Sequence, residues 1–228
     1  MIDRQQLTFI LALAAITPLL ARAGTPDLAG PWQIVASPVT LKTIDGQPPP
    51  LKPEAQAIYD RYAAERGEGD TGFDPITRCL PPGVPRLAMQ PMPFKIEVGK
   101  RAVAIVYQWN HLYRLAYLNQ PHFPQIAPQY LGQSTAKWLG DTLVIDSDQF
   151  NDSSLLDDSG LPHSAELHTV ESYSLGVDSN QLRLRVTIDD PRTYSRPWSA
   201  ELLFRKKPGY IITEDYCLRR AGKLPALQ

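Results

Sequence analysis

The chain has 228 residues, of which 43% are hydrophobic and 21% charged, with a formal net charge of −1 and a pI near 6.4. A charge balance of this kind does not indicate a basic surface for binding nucleic acid or a basic patch for binding a membrane. The length fits a single domain that can bury a sizeable core. The 14 glycines and 22 prolines predict many loops.

The first 23 residues predict a cleaved signal peptide. Arg4 precedes the apolar run Leu7–Leu20, and the Ala21–Ala23 triplet offers the small residues two apart that signal peptidase requires. A membrane anchor is the alternative, but the run is shorter than the about 20 apolar residues that span a bilayer and Pro18 interrupts it. We therefore expect a periplasmic or secreted mature chain that begins at Gly24 and has no membrane span.

Residues 24–93 are expected to pack on the main body of the fold. Pro31–Val39 can form one strand, and Pro53–Arg66 predicts the one convincing helix, since a proline suits the first helical turn. Four side chains share a helix face and are expected to pack on the core: Ala55, Ile58, Tyr59 and Tyr62. Residues 70–93 form a long Pro-rich loop, which is either functional or draped over the fold.

From Phe94 to the C-terminus the hydrophobic pattern has a period of two. Nine strands are predicted there: Phe94–Gly99, Ala102–Trp109, Leu112–Leu118, Ser134–Trp138, Thr142–Asp146, Leu167–Leu175, Gln181–Ile188, Trp198–Lys206 and Ile211–Leu218. Evenly spaced strands with short turns favour an antiparallel meander, and closure into a barrel removes its edges. We predict a mainly β fold, an up-and-down, lipocalin-like barrel over residues 94–228. A two-sheet sandwich is the alternative.

The chain has two cysteines, Cys79 and Cys217. In an exported protein an even number of cysteines predicts a disulfide, which here would join the Pro-rich loop to the last predicted strand. Two separate buried thiols are the alternative. No CxxC redox motif or Cys-rich zinc site is present.

Two of the four histidines, His163 and His168, lie in an acid-rich stretch and are the candidate acid/base residues. Their separation of five differs from that of an HExxH zinc helix and would place them on opposite faces of a strand. A loop at His163 could fold back so that the two rings converge, with Asp157 or Asp189 orienting them. The alternatives are a divalent metal held by the imidazoles and a carboxylate, for which no ligand set is assigned, and a purely structural polar loop.

Aromatic side chains on two neighbouring predicted strands form a second constellation. Tyr107, Trp109, Arg114 and Tyr117, together with Trp198, could line a cavity for an apolar ligand. The alternative is an aromatic barrel core with Arg114 facing solvent. Strand alternation places Arg114 on the face opposite Tyr117.

Several motifs resemble those of a family of uncharacterised exported bacterial proteins, mostly from proteobacteria and acidobacteria. They are C-L-P-P-G from Cys79, W-L-G-D-T-L-V-I-D from Trp138, F-N-D from Phe150, L-D from Leu156, G-L-P-H-S-A-E-L-H from Gly160, and T-I-D-D-P from Thr187 with Trp198. The resemblance covers most of residues 74–217. It implies a secreted domain and marks residues 138–168 as the family signature. Members often carry a glutamate where this chain has Gln108, which weakens any catalytic role for that position.

We predict an exported enzyme that uses His/Asp acid-base chemistry on a small apolar or aromatic molecule, by a lyase, isomerase or hydrolase reaction. A periplasmic barrel that binds such a ligand without turnover is the first alternative, and a metal-dependent hydrolase is the second. No cofactor is expected, because neither a Gly-rich phosphate loop nor a redox cofactor motif appears. The expected partner is a small-molecule ligand or substrate.

Overall fold

The computed structural model describes residues 25–124 and 127–222, so the predicted signal peptide and its cleavage site before Gly24 lie outside the described residues. Nine strands form a closed barrel in which each strand pairs with the next along the chain and the first pairs with the last. The strands are β1 (Gly30–Ile34), β2 (Phe94–Val98), β3 (Ala102–Tyr107), β4 (Tyr113–Leu118), β5 (Gln133–Leu139), β6 (Thr142–Asp148), β7 (His168–Leu175), β8 (Gln181–Asp189) and β9 (Trp198–Lys206). The predicted mainly β, lipocalin-like barrel is confirmed.

The pairing between β4 and β5 is parallel, whereas the other neighbouring strands of the barrel are antiparallel. Its register joins Ala116–Leu118 to Ser134–Ala136. The connection over residues 119–132 is long enough for the chain to return to the other end of the barrel, which a two-residue hairpin could not do. The predicted meander is therefore interrupted once, at this position.

The ninth strand comes from the N-terminal region and not from the C-terminus. β1 closes the barrel between β2 and β9, so the barrel extends beyond residues 94–228. The predicted strand Ile211–Leu218 is wrong: this segment is irregular and then enters a one-turn helix, α3 (Cys217–Arg220). Side chains satisfy its backbone in place of a ladder, since Gln108 accepts from the Thr213 N–H and donates to its carbonyl.

Inward-facing side chains fill the barrel. Along β8 the even-numbered residues from Leu182 to Ile188 are buried and the odd-numbered ones lie outside, as strand alternation requires. Phe94 packs edge to face on Phe204, with ring centroids 5.0 Å apart. β3 ends at Tyr107, because Trp109–His111 forms a 3₁₀ turn in which Asn110 has a φ of 48°. Trp109 is thus outside the strand in which it was predicted.

The helix predicted from Pro53 is confirmed as α1 (Pro53–Gly67), and a one-turn helix, α2 (Arg86–Met89), follows in the Pro-rich loop. α1 lies near the surface: Tyr62 stacks on Phe73 at 4.4 Å, while Ile58 is exposed. The predicted packing of this face on the core is confirmed for Ala55, which is buried, and for Tyr59, which packs against the core cluster, whereas Tyr62 packs on the loop. None of the described helices is long and apolar enough to cross a membrane.

The disulfide between Cys79 and Cys217 is confirmed, with Cα atoms 5.5 Å apart and a sequence separation of 138. It joins the Pro-rich loop to α3 and not to a strand, as the failure of the last predicted strand requires.

Candidate functional site

His163 lies in the loop between β6 and β7 and pairs with Ser154 of the same loop. Its Nε2 is 2.8 Å from the Ser154 hydroxyl, and its Nδ1 is 3.0 Å from the carbonyl oxygen of Ser164. A carbonyl only accepts, so Nδ1 carries the proton and Nε2 of the neutral ring is the acceptor. Ser154 therefore donates to His163. This is the relation of a hydroxyl nucleophile to its general base, with a backbone carbonyl orienting the base.

The surroundings keep His163 neutral. Burial lowers the pKa of the ring, and the Ser164 carbonyl and the charges of Asp190 and Asp152 only partly oppose this effect. An unprotonated imidazole at neutral pH is the state that a general base needs.

Two backbone N–H groups at Ser154 have no hydrogen-bond acceptor among the described residues. They belong to Ser154 itself and to Leu155, and within the described chain neither donates a hydrogen bond. Both residues are at least 95% buried, and unpaired buried N–H groups are rare in proteins. Unpaired N–H groups next to a nucleophile can stabilise the negative charge that develops on a carbonyl oxygen under attack.

A cavity of about 510 Å³ gives access to this pair. Its wall includes Ser154, Leu155 and His163, together with Tyr62 and Phe73 from the α1 side. The cavity is thus partly aromatic and has the serine–histidine pair in its lining. It can hold a small molecule beside the hydroxyl.

The Pro-rich loop packs directly against the serine. Gly83 has a φ of +87°, and a Cβ at this position would overlap the Ser154 hydroxyl. Glycine therefore meets two needs here, a left-handed backbone and a close approach. The loop that was predicted to be functional or draped over the fold forms one boundary of the Ser154 environment.

The carboxylates expected to orient a histidine have other contacts. Asp157 is fully buried and accepts hydrogen bonds from the backbone N–H groups of Leu41, Ser159 and Leu161. Burial nonetheless raises its pKa, because desolvation outweighs these donors. It organises the loop, and no described hydrogen bond joins it to a histidine.

Asp190 and Asp152, and not Asp189, are the acids whose charges act on His163. Asp190 accepts from the backbone N–H and the hydroxyl of Ser164, at 2.6 and 2.8 Å. Burial opposes these bonds, but the donors of Ser164 and Thr193 prevail and lower the pKa of Asp190. Asp190 thus holds the residue whose carbonyl orients His163. Asp189 lies at the end of β8 in register with His168.

His168 joins a different cluster, on the outer face of β6 and β7. Its Nε2 is 2.9 Å from Asp146, and Nε2 of His122 is also 2.9 Å from the same carboxylate oxygen. Nδ1 of His122 lies 3.0 Å from Asp148. Partial burial opposes ionisation of Asp146, yet the hydrogen bonds from His168 and His122 lower its pKa.

The outer cluster has histidine–carboxylate pairs that could transfer protons, but its contacts mainly hold a loop and two strands together. Each Nε2 atom is occupied by Asp146, and His122 anchors the loop after β4 to the barrel wall. No group of three or more His, Cys, Asp or Glu side chains among the described residues is arranged to hold a metal ion. Within the described contacts the structure does not bring His163 and His168 together or give them a shared carboxylate.

The candidate ligand-binding residues are divided between the interior and the exterior of the barrel. Tyr107, Trp109 and Trp198 are buried, and the Trp198 ring lies 5.5 Å from that of Tyr194 between centroids. Tyr117 lies on the outside of the barrel, with its ring against Phe123. Burial raises the pKa of Tyr107 to about 12, although neighbouring Arg114 opposes the shift. The predicted aromatic set does not line one cavity.

Arg114 is buried, in contrast to the solvent-facing position of the alternative interpretation. Its Nη2 lies 2.6 Å from Glu171 and also contacts the hydroxyls of Ser134 and Ser147. Burial opposes the charge, but Glu171 outweighs it and raises the pKa of Arg114. Glu171 also accepts from the Tyr173 hydroxyl at 2.9 Å. An ion pair thus lies inside the barrel, where the alternation of β4 places the residue between two exposed neighbours.

Sequence reasoning missed Ser154 and His122. Ser154 stands in a run of polar residues with no nucleophile motif around it, so only its nine-residue separation from His163 within one loop pointed to a pairing. His122 contacts Asp146 across 24 residues, a separation that carries no periodic signal.

No protein-family model matches the chain. A search of curated proteins also finds no significant match.

Proposed function

We propose that the protein is an exported hydrolase of small carboxylic esters in which Ser154 is the nucleophile and His163 the general base. The hydrogen bond from the Ser154 hydroxyl to His163 Nε2, in the wall of a cavity of about 510 Å³, carries the proposal. This is the hydrolase form of the acid-base enzyme expected from the sequence. Of the four predicted catalytic residues it retains His163.

The reaction follows from the positions of the protons. Ser154 Oγ attacks the ester carbonyl carbon while its proton passes to His163 Nε2, and the carbonyl oxygen becomes negative. The N–H groups of Ser154 and Leu155 are the candidate donors to this oxygen. The C–O bond to the alcohol then breaks, and the alcohol leaves with the proton from His163. Water hydrolyses the acyl-serine by the same route, returns the proton to Ser154 and releases the acid.

Export is supported by three observations. The disulfide joins segments 138 residues apart, and such bonds persist in oxidising compartments. The sequence before Gly24 has the pattern of a signal peptide, and the signature motifs resemble those of exported bacterial proteins. A periplasmic or secreted location agrees with all three.

The first experiment measures hydrolysis of p-nitrophenyl acetate and p-nitrophenyl butyrate by the oxidised mature chain. Ser154→Ala and His163→Gln should each lower kcat/KM by about 10²–10⁴, because they remove the nucleophile and the base. The matched control is Ser153→Ala, since this neighbour lines the same cavity and only its backbone N–H bonds to Asn151. It should keep at least half of the wild-type rate.

Covalent labelling separates catalysis from folding. A fluorophosphonate should modify the wild type once, at Ser154, as read by intact mass and peptide mapping, and should also modify Ser153→Ala. A wild type that neither hydrolyses the esters nor reacts with the probe contradicts the proposal. The same conclusion follows if Ser154→Ala retains the wild-type rate.

The pH dependence offers a further readout. Because burial lowers the pKa of His163, kcat/KM should rise with pH through a midpoint below the ordinary histidine value of 6.5. A midpoint above that value would point to a different base.

A further inference from the structure

The cavity beside Ser154 and His163 has an unequal set of charges in its wall. Arg78 and Arg192 contribute two guanidinium groups, and Asp152 contributes a single carboxylate to the lining. The other described residues of the lining are uncharged, since burial keeps His163 neutral. A concave site with an excess of one charge raises the local concentration of ligands of the opposite charge. The charges of the wall therefore favour an anionic molecule.

The two arginines of the cavity differ in their contacts. Nη1 of Arg78 donates to the carbonyl oxygen of Gly72 at 2.6 Å, so this side chain is held by its own loop. The Arg192 guanidinium has no hydrogen bond or ion pair with any residue that the structure describes, although it belongs to the lining. Its N–H donors are therefore available to a ligand, and a guanidinium can bind a carboxylate through two parallel hydrogen bonds.

The backbone of Arg192 is tied to the serine–histidine pair through Asp190. Oδ1 of Asp190 accepts from the Arg192 backbone N–H at 3.2 Å and from the Ser164 hydroxyl at 2.8 Å. His163 Nδ1 donates in turn to the Ser164 carbonyl oxygen at 3.0 Å. Asp190 is buried, so water does not compete for these bonds. A substrate anion bound by Arg192 is thus placed relative to the reacting pair.

The apolar part of the wall suits the body of an aryl ester. Tyr62 and Phe73 stack with ring centroids 4.4 Å apart, and Ile58 and Leu155 add aliphatic groups to the lining. A volume of about 510 Å³ is enough for one substituted benzene ring and its ester group. A substrate with the ester at one end of the ring and a carboxylate at the other would use the apolar wall and the cation together.

We infer that Arg192 selects anionic esters: the substrate carries a carboxylate that this guanidinium binds while Ser154 attacks the ester carbonyl. The inference rests on the proposed hydrolase function and names its substrate class. The carboxylate takes no part in the reaction. The acyl group passes to Ser154, and the alcohol or phenol leaves with the proton from His163, as for a neutral ester. Arg192 is therefore a specificity residue, which acts mainly on substrate binding.

The experiment compares kcat/KM for 4-acetoxybenzoate with that for its neutral analogue 4-acetoxybenzamide. The wild type should prefer the anion at least tenfold, although the neutral compound has the better leaving group. Arg192→Gln should lower this preference at least fivefold, through a higher KM for 4-acetoxybenzoate and not through a lower kcat. Equal kcat/KM for the two esters in the wild type, or an unchanged preference in Arg192→Gln, would overturn the inference while hydrolysis itself stands.

The matched control is Arg183→Gln, which removes an arginine of β8 that does not line the cavity. Arg183 is exposed and pairs with Glu201 at 3.5 Å. This variant loses the same charge from the protein as Arg192→Gln does, so it corrects for a general loss of attraction between the protein and an anion. It should keep the wild-type preference within twofold. An equal loss of preference in both variants would overturn the inference.

Binding without turnover separates this inference from the hydrolase proposal. Isothermal titration calorimetry of Ser154→Ala with 4-acetoxybenzoate should give a measurable affinity, and Ser154→Ala/Arg192→Gln should bind at least fivefold more weakly. If the wild type hydrolyses neither ester but this loss of binding is observed, the hydrolase proposal fails and Arg192 stands as the residue that binds the anion. If Ser154→Ala does not bind 4-acetoxybenzoate at millimolar concentration, or binds 4-acetoxybenzamide equally well, the inference fails.

Discussion

The buried ion pair inside the barrel leads to a stability prediction for Glu171→Gln. Glu171 is fully buried and lies 2.6 Å from Arg114 Nη2, and no other carboxylate pairs with this guanidinium among the described residues. Glutamine keeps the shape and an acceptor for Tyr173, but it leaves a buried cation without a counter-charge. Removing one partner of a buried pair costs about 3–5 kcal/mol. For a chain of this size that loss lowers Tm by about 6–20 °C.

The assay is urea unfolding of the oxidised protein, followed by tryptophan fluorescence and compared at equal m-values. The matched control is Glu201→Gln, which breaks the exposed pair with Arg183 at 3.5 Å and should change the free energy of unfolding by less than about 0.5 kcal/mol. The double variant Arg114→Met/Glu171→Leu replaces both charges with apolar groups and should recover most of the loss. A loss below about 1 kcal/mol for Glu171→Gln would refute the reasoning.

Three further predictions concern pH, the disulfide and Gly83. The pKa of Asp146 is lower in the folded state, so its ionised form stabilises the fold fully above the ordinary value of 3.8, and this stabilisation is lost as pH falls through the folded-state pKa. Asp146→Asn should therefore be less stable than the wild type at pH 6. Its free energy of unfolding should also fall less than that of the wild type below pH 3.8 in acid-unfolding curves. A Cys79→Ser/Cys217→Ser variant should lose about 5 kcal/mol in urea unfolding, the chain-entropy value for so long a loop, and an unchanged midpoint would contradict this. Gly83→Ala should abolish fluorophosphonate labelling of Ser154, because the added methyl overlaps the hydroxyl; full labelling would show that the loop moves aside.

The barrel was predictable because most of its strands carry a local signal. In β8, buried and exposed residues alternate over nine positions, and this alternation is legible in the sequence. The strand predicted over residues 211–218 does not form, because β1 already pairs with the edge of β9 that this segment would have used. Periodicity shows that a segment can be a strand, but strand pairing is a contact between distant segments.

The candidate site was predictable only in part. His163 was predicted because two of the four histidines lie in one acid-rich stretch, but its partner Ser154 lacks any motif. The expected meeting of His163 and His168 does not appear among the described contacts. His168 is the first residue of β7, and its side chain lies on the outer face of the sheet. His163 is in the preceding loop, and its side chain is buried against Ser154.

The sequence by itself determined the alternation of the strands, the position of the helix and the availability of two cysteines for one bond. These features depend on residues close together in the chain or on simple counting. Only the tertiary structure decided that Ser154 donates to His163, that Arg114 is inside the barrel, and that β4 and β5 pair in parallel. The physical reason is that burial and hydrogen-bond geometry depend on which distant segments come into contact. One parallel pairing in an otherwise antiparallel barrel changes which segments those are.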